Sequence, residues 1–240
     1  MKAMKLSGFI LAASLLTFAC GKSSDTVETT EAQEAAAATG QTLSLDLGSS
    51  KVNWRGYKPT GQHFGLIPVT DGTLSIEGDA ITAGEFSFDI TGLEIHDLEE
   101  GSENHGKLWN HLQSDDFFDA ANHPKATFVI TEISPYGAGD AIEDQEQFET
   151  ENTPKSASEI APDSPTHWIS GNLTMRGNTK NIKFPASVSM ENGMITAQAG
   201  FNIDRTAWGL SYGDEATAVD KAKDQFIYNT VSVNFDIKAN

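Results

Sequence analysis

The chain has 240 residues, of which 34 are acidic and 16 basic, so its formal net charge at pH 7 is -18. This balance argues against nucleic acid and against anionic lipid headgroups as surface partners, because binding phosphates needs clustered Lys and Arg side chains. The single cysteine, Cys20, cannot form a disulfide within the chain.

The first nineteen residues have the pattern of a secretory signal peptide. Lys2 and Lys5 precede an apolar run, Leu6 to Phe18, that is too short to span a bilayer. Cys20 follows this run after Ala19, a position that favours lipid attachment to its thiol. We therefore expect an exported lipoprotein, periplasmic or associated with the outer membrane, that is anchored in the membrane by the acyl chains on Cys20. The alternative is an ordinary signal peptide that contains a cysteine.

Residues 20–40 are low in complexity and include four consecutive alanines, Ala35 to Ala38. Such a segment buries too little apolar surface to offset its ordering entropy, so we expect a flexible tether. The remaining residues, 41–240, fit one all-β domain.

Hydrophobic periodicity predicts strands along most of this domain. Apolar residues recur at every second position, which is typical of a sheet with one apolar and one polar face. Turn signals such as Asp71-Gly72 and Gly177-Asn178 separate the runs. We expect an antiparallel barrel of about eight strands, because a sheet with one apolar face must cover it by closing or by pairing. The clearest runs are Val52 and Trp54; Phe86, Phe88 and Ile90; Ile182, Phe184, Ala186 and Val188; Phe201 and Ile203; and Val231, Val233, Phe235 and Ile237.

One short helix is predicted between Ser102 and Gln113. Leu108 and Leu112 stand at helical spacing beside Trp109, and Ser114 ends the pattern. Two roles fit this helix: a lid over one end of the barrel, or a surface crossover that packs Trp109 against the rim.

A loop insertion is predicted at about residues 137–166. It contains eight acidic residues and one basic residue, Lys155, in a stretch rich in Pro and Ser. Its composition predicts a mobile loop whose removal leaves the fold intact.

Catalytic and metal-binding patterns are not found in the sequence. His96, His105, His111 and His123 lie within 28 residues, but no two have the i, i+4 spacing of a helical zinc motif. The chain has no Gly-x-Ser-x-Gly elbow, and acidic pairs such as Asp115-Asp116 are typical of solvated caps. We therefore expect no catalysis and no metal site.

Four stretches in order resemble the YceI-like polyisoprenoid-binding family. They are Lys51 to Leu74, His111 to Phe128, Gly171 to Pro185, and Phe201 to Leu210. The resemblance implies a lipocalin-like antiparallel β-barrel, in an exported bacterial protein, whose interior holds a long isoprenoid or a related amphiphilic lipid. His123, Arg176 and Asn178 depart from the residues common in the family.

The apolar faces of the predicted strands supply the candidate ligand-binding residues. Burying hydrocarbon contributes roughly 0.8 kcal/mol per methylene, so binding a lipid tail needs no special polar chemistry. The alternative is that these side chains simply fill a solid core. The candidates are Phe86, Phe88, Phe128, Ile130, Leu173, Phe184, Phe201, Val231 and Val233.

Arg205 and Trp208 complete the candidate set at the barrel interior or its mouth. Arg205 continues the two-residue spacing of Phe201 and Ile203, where a cation would pair with an acid or meet a lipid headgroup. We expect Trp208 to be an aromatic residue of the barrel rim or of the core.

Two functions follow from the sequence. The first is a membrane-anchored carrier that binds an isoprenoid, a quinone or a fatty amphiphile and needs no cofactor beyond that lipid. The second is a cell-envelope interaction module with a packed barrel, whose acidic loops bind a protein or a glycan.

Overall fold

The structure, a computed structural model, describes residues 25–142, 144, 151–216 and 226–240. The predicted signal peptide and the predicted lipid attachment at Cys20 lie outside these residues. Within the described ranges, no helix is both long enough and apolar enough to cross a membrane.

The described residues form twelve strands, two helices and a short 3-10 helix, so the predicted all-β class is confirmed. All of the strand pairs are antiparallel. The strands are β1 (Thr29–Thr30), β2 (Gln41–Ser44), β3 (Lys51–Lys58), β4 (Gly61–Ile67), β5 (Val69–Glu77), β6 (Ala80–Asp89), β7 (Glu94–Ile95), β8 (Lys125–Pro135), β9 (His167–Met175), β10 (Asn178–Glu191), β11 (Met194–Asp204) and β12 (Thr230–Ala239). The helices are α1 (Glu103–Gln113), α2 (Ala157–Ile160) and the 3-10 helix Arg205–Trp208.

The strands form one sheet that curls back on itself, in the order β2-β5-β6-β8-β9-β10-β11-β12-β3-β4-β7. Pro68 alone separates β4, which pairs with β3, from β5, which pairs with β6. The chain therefore joins β4 and β5, the strands that lie next to the two ends of the hydrogen-bonded order. With β4 and β5 counted as one and the three shortest strands set aside, eight long strands surround the core. The twelve strands of the described residues exceed the predicted number of about eight, because β1, β2 and β7 are short and one long strand is interrupted at Pro68.

The core lies inside this curled sheet because alternate side chains point to opposite faces. In β3, for example, Trp54 packs against the core while its neighbour Arg55 lies over the ring of Phe64 on the outer face. The predicted period-two runs thus place their apolar members inside.

Helix α1 matches its prediction to within one residue at its N-terminal end. Ser102 caps the helix by accepting a hydrogen bond from the backbone amide of His105, and Ser114 ends it. The indole of Trp109 donates to the carbonyl oxygen of Leu93 (3.1 Å), and Leu112 is buried. No α1 side chain lines the interior cavity described below, and these contacts agree with the crossover role.

Residues 25–40 differ from the predicted flexible tether. We call this part of the chain the N-terminal strap, because it crosses the outside of the sheet and is hydrogen-bonded to successive strands. Thr29 and Thr30 form β1 and pair with β10. The other contacts are Val27 N to Asn202 O in β11 (2.8 Å), Gln33 N to Asn172 Oδ1 in β9 (3.0 Å), Ala36 N to Ile130 O in β8 (2.9 Å) and Thr39 N to Thr82 Oγ1 in β6 (3.2 Å).

The acidic insertion also differs from its prediction, because its described part packs on the outer face. The amide of Asn202, a fully buried side chain, donates to the carbonyl oxygen of Lys155 (2.8 Å). Gly200 lies so close to the insertion that an added Cβ would be 1.8 Å from the carbonyl oxygen of Ile160. Asn152 donates to the carbonyl oxygen of Pro59 (3.1 Å). Residues 151–160 are thus fixed to both sides of the β3–β12–β11 surface.

Candidate functional site: an apolar cavity inside the sheet

The interior contains a cavity of about 120 Å³. Each of the eight long strands contributes to its wall, and every wall residue is apolar. The wall residues are Val52, Trp54, Ile67, Leu74, Ile81, Phe86, Phe88, Ile90, Ala126, Phe128, Ile130, Ile169, Leu173, Met175, Ile182, Phe184, Ala186, Val188, Ala197, Phe201, Ile203, Val233, Phe235 and Ile237. An apolar cavity of this kind favours hydrocarbon over water, because a water needs polar partners.

Five phenylalanine rings form a continuous row across the wall. Phe184 and Phe201 stack with their centroids 4.2 Å apart, and Phe235 meets Phe184 edge-on at 5.5 Å. Phe128 and Phe86 continue the row, with centroid separations of 5.6 Å from Phe184 to Phe128 and 6.2 Å from Phe128 to Phe86. Stacked and edge-on arrangements are those that aromatic pairs prefer. The row gives the cavity a rigid, polarisable side.

Glycines on the inner face make room for these rings. A Cβ on Gly171 would lie 2.2 Å from the Phe128 ring, and a Cβ on Gly84 would lie 2.8 Å from Ile130 Cδ1. Both contacts are shorter than van der Waals distance, so a side chain at either position would force the neighbouring side chains to move.

Eight of the eleven candidate interior residues lie on the cavity wall: Phe86, Phe88, Phe128, Ile130, Leu173, Phe184, Phe201 and Val233. Their contact with a ligand remains a prediction. The other three need correction. Val231 is half-buried and packs against the core, but it does not line the cavity.

Arg205 is not a cavity residue. It is 2 % exposed, and it donates hydrogen bonds to the carbonyl oxygens of Tyr228 (3.2 Å), Ile227 (3.1 Å) and Leu210. Burial lowers the pKa of Arg205, and the charge of Asp214 opposes this shift. Arg205 ties two chain segments together; it does not face a headgroup.

Trp208 is fully buried but lies off the cavity wall. Its indole donates to the carbonyl oxygen of Leu173 (2.8 Å), so it packs as a core aromatic at the end of β9. The period-two pattern fails here because β11 ends at Asp204, whose carboxylate accepts from the Thr206 amide (2.9 Å) and caps the 3-10 helix.

Several wall residues were missing from the candidate set, among them Trp54, Met175 and the alanines 126, 186 and 197. The signal for Trp54 was present, since it alternates with Val52 in the sequence. Ala186 carried the same signal, since it continues the run of Ile182 and Phe184. Alanines 126 and 197 did not, because an alanine contributes little to a hydrophobic pattern.

A second, polar cavity of about 560 Å³ lies on the opposite face of the same strands. The insertion covers it from one side, and Arg55, Gln62 and Asn234 line it from the sheet. Tyr57 and Ser232 form its floor, where their hydroxyl oxygens are 2.8 Å apart. The strands β3 and β12 thus separate an apolar interior from a polar outer cavity.

Within the described residues, no group of three or more His, Cys, Asp or Glu side chains is arranged to hold a metal ion. The histidines noted in the sequence make separate contacts: His96 with Glu94 (2.8 Å) and His111 with Asp116 (3.2 Å), for example.

The curled antiparallel sheet around its apolar cavity defines an antiparallel β-barrel of the lipocalin-like fold class. The YceI-like domain model matches residues 43–239, and the chain therefore belongs to this family. A UPF0312 protein of Shewanella denitrificans is 28% identical over 116 residues, which are 48% of this chain and 44% of that relative. The chain thus matches less than half the length of this curated relative.

Solved structures share the fold. Burkholderia cenocepacia BcnA is 17% identical, with a TM-score of 0.56 over 82% of this chain and 99% of that one. A polyisoprenoid binding domain from Saccharophagus degradans, implicated in plant cell wall breakdown, is 18% identical, with a TM-score of 0.52 over 82% and 97% of the two chains. At these identities the likeness concerns the fold alone.

Proposed function

We propose that the protein binds a long-chain isoprenoid, or a related amphiphile such as a quinone, inside the curled sheet and without catalysis. The observation that carries this proposal is the cavity wall, to which no polar residue contributes. Membership of the YceI-like family and the fold shared with a polyisoprenoid binding domain support the same ligand class.

The energetics favour a chain-like ligand. A tail of about ten methylenes gains a gross 8 kcal/mol or so from burial, part of which is offset by immobilisation. The cavity of about 120 Å³ is close to the roughly 150 Å³ that holds one benzene in a well-studied engineered protein. A long tail therefore enters only as wall side chains move apart, and the polar end of the ligand stays outside.

The protein carries out this role as an exported lipoprotein in our proposal. The support is the sequence alone: a short apolar run after Lys2 and Lys5, followed after Ala19 by the single cysteine, Cys20. Acyl chains on Cys20 would hold the carrier at a membrane that contains its cargo.

Organic extraction of the protein purified from its native envelope, followed by mass spectrometry, tests the cargo. We expect a long-chain lipid at about one per chain. An extract without such a lipid, from a protein that also fails to bind added farnesol or a short-chain quinone, would contradict the proposal.

The polar outer cavity favours a second candidate, the envelope interaction module that binds a protein or a glycan. Its wall combines Arg55 and Lys155 with Glu151 and Glu159, which suits a polar partner. An empty extract together with binding that is lost on replacing Arg55 and Lys155 by Gln would favour this module over the carrier.

A further inference from the structure

The N-terminal strap leaves little free chain between the domain and Cys20. Residues 21–24 alone lie between Cys20 and Asp25, the first described residue. A fully extended chain advances at most about 3.6 Å per residue, so Cys20 lies within roughly 18 Å of Asp25 whatever the path between them. A tether free as far as Gly40 would allow about four times that distance.

Asp25 is held at a definite place on the domain. It is 5% exposed, and its carbonyl oxygen accepts a hydrogen bond from Asn202 Nδ2 (3.2 Å). The same amide group donates to the carbonyl oxygen of Lys155. The chain therefore joins the domain at the outer face of β11, beside the docked insertion.

The contacts that hold the strap are distributed along its length and lie on the outer face. Asn172 and Asn202 alternate with the wall residues Leu173 and Phe201, so they point away from the cavity. Asn172 bonds Gln33 twice, through its Oδ1 (3.0 Å) and its Nδ2 (2.7 Å). Since the strap is fixed at β11, β10, β9, β8 and β6, one broken contact does not free the chain.

We infer that the strap holds one side of the protein, the outer face of β11 with the adjoining residues 151–160, towards the membrane that carries the Cys20 anchor. This inference rests on the proposed lipid anchor. The opposite wall of the curled sheet, around β6, then faces away, because β6 lies four strands from β11 in either direction. The partner of this surface is a lipid bilayer, and the polar cavity lined by Asp25 lies on the membrane side.

Energy transfer to the membrane tests this orientation. A fluorophore is attached to Lys155→Cys or, in a matched variant, to Glu85→Cys; both side chains are exposed, and they lie on opposite walls. The full lipidated chain is reconstituted in phosphatidylcholine vesicles that contain acceptor-labelled headgroups. We expect several-fold stronger transfer from position 155 than from position 85.

A longer linker between Cys20 and the domain provides the control. Inserting about twenty Gly and Ser residues between Ser24 and Asp25 adds a root-mean-square span of about 25 Å, so transfer from position 155 should fall to the level of position 85. Equal transfer from both labels in the acylated, uninserted chain, or no effect of the insertion, would overturn the inference and leave the anchor intact. An intact mass without acyl chains on Cys20 would overturn the anchor, and this inference with it.

Discussion

The ring of Phe128 in β8 covers Gly171 in the neighbouring strand β9, where an added Cβ would lie 2.2 Å from Phe128 Cζ. Because Phe128 also packs against Phe86 and Phe184, the missing side chain at position 171 determines where the row of rings can lie. The shape of the cavity thus depends on a residue that has no side chain.

Replacing Gly171 by Ala should displace the Phe128 ring and destabilise the protein by about 1–3 kcal/mol, as overpacking of a core does. Urea unfolding followed by tryptophan fluorescence measures the loss. Gly106→Ala is the matched control, because a Cβ at this position in α1 meets no atom within 4 Å. An unchanged unfolding midpoint for the Gly171 variant would show that the ring moves without cost.

Filling the cavity should remove the ligand and leave the fold. Ala197 lines the wall, so Ala197→Leu places extra methyl groups in the space of about 120 Å³. We expect less lipid per chain in organic extracts, with far-ultraviolet circular dichroism unchanged. Ala80→Leu, at an exposed position, should retain the wild-type amount. Equal lipid content in the two variants would place the ligand elsewhere.

Arg205 should matter for stability and not for ligand affinity. In Arg205→Met three carbonyl oxygens lose a charged donor, and since such hydrogen bonds contribute about 1.5–3 kcal/mol each, we expect a loss of about 3 kcal/mol or more. Arg205→Lys should also destabilise, because one ammonium group cannot span the three acceptors. Arg55→Met, which loses a contact with the Phe64 ring at 4.4 Å, should cost less than about 1 kcal/mol. Weaker lipid binding by a folded Arg205 variant would contradict this assignment.

The base of the acidic insertion should respond to acid through Asp140. Hydrogen bonds from the Gly137 amide (2.7 Å) and the Trp168 indole (2.8 Å) lower the pKa of Asp140 below its ordinary value of 3.8. A carboxyl whose pKa is lower in the folded state stabilises that state above its ordinary pKa, and this contribution is lost as the pH falls through the lowered value. The NMR signal of the Trp168 indole N–H should therefore titrate with a midpoint below 3.8, and Asp140→Asn should abolish that step. A midpoint at or above 3.8 would mean that these hydrogen bonds do not persist in solution.

Loosening the strap should expose residues 25–40 without unfolding the barrel. The double variant Val27→Pro, Ala36→Pro removes the amide donors to Asn202 and Ile130, because proline has no N–H. We expect faster hydrogen exchange and faster proteolysis in the strap, and little change in β8 to β12. Ala38→Pro is the control, since the Ala38 amide makes no hydrogen bond to the described part of the chain. Equally fast exchange of the strap in wild type and double variant would mean that the strap is already free in solution, and equally slow exchange would mean that these two amides do not hold it.

Local patterns predicted most of the fold. Helix α1 lies where Ser102, Leu108 and Leu112 indicated it, because caps and spacing are properties of the nearby sequence. The two-residue alternation correctly predicted that Phe184 and Phe201 face the interior. It could not predict the position of Trp208, because the strand ends at the capping residue Asp204 and the alternation ends with it.

The strap and the insertion were beyond such reasoning for a different reason. Composition indicates whether a segment can bury apolar surface, whereas the strap is held mainly by hydrogen bonds to Asn172 and to strand carbonyls far away in sequence. The partner of Lys155 is a buried asparagine, Asn202, almost fifty residues later. Neither the strap nor the insertion has a local sequence pattern that indicates the surface on which it packs.

The junction at Pro68 constrains where the barrel wall can open for the proposed lipid ligand. At that residue β4 and β5 are joined covalently by the main chain, so these two strands cannot separate as two free strand edges can. Peeling a wall open elsewhere breaks a whole ladder of backbone hydrogen bonds. In the proposed lipid-binding role, entry through the ends of the barrel, near the loops and the 3-10 helix Arg205–Trp208, would leave these ladders intact.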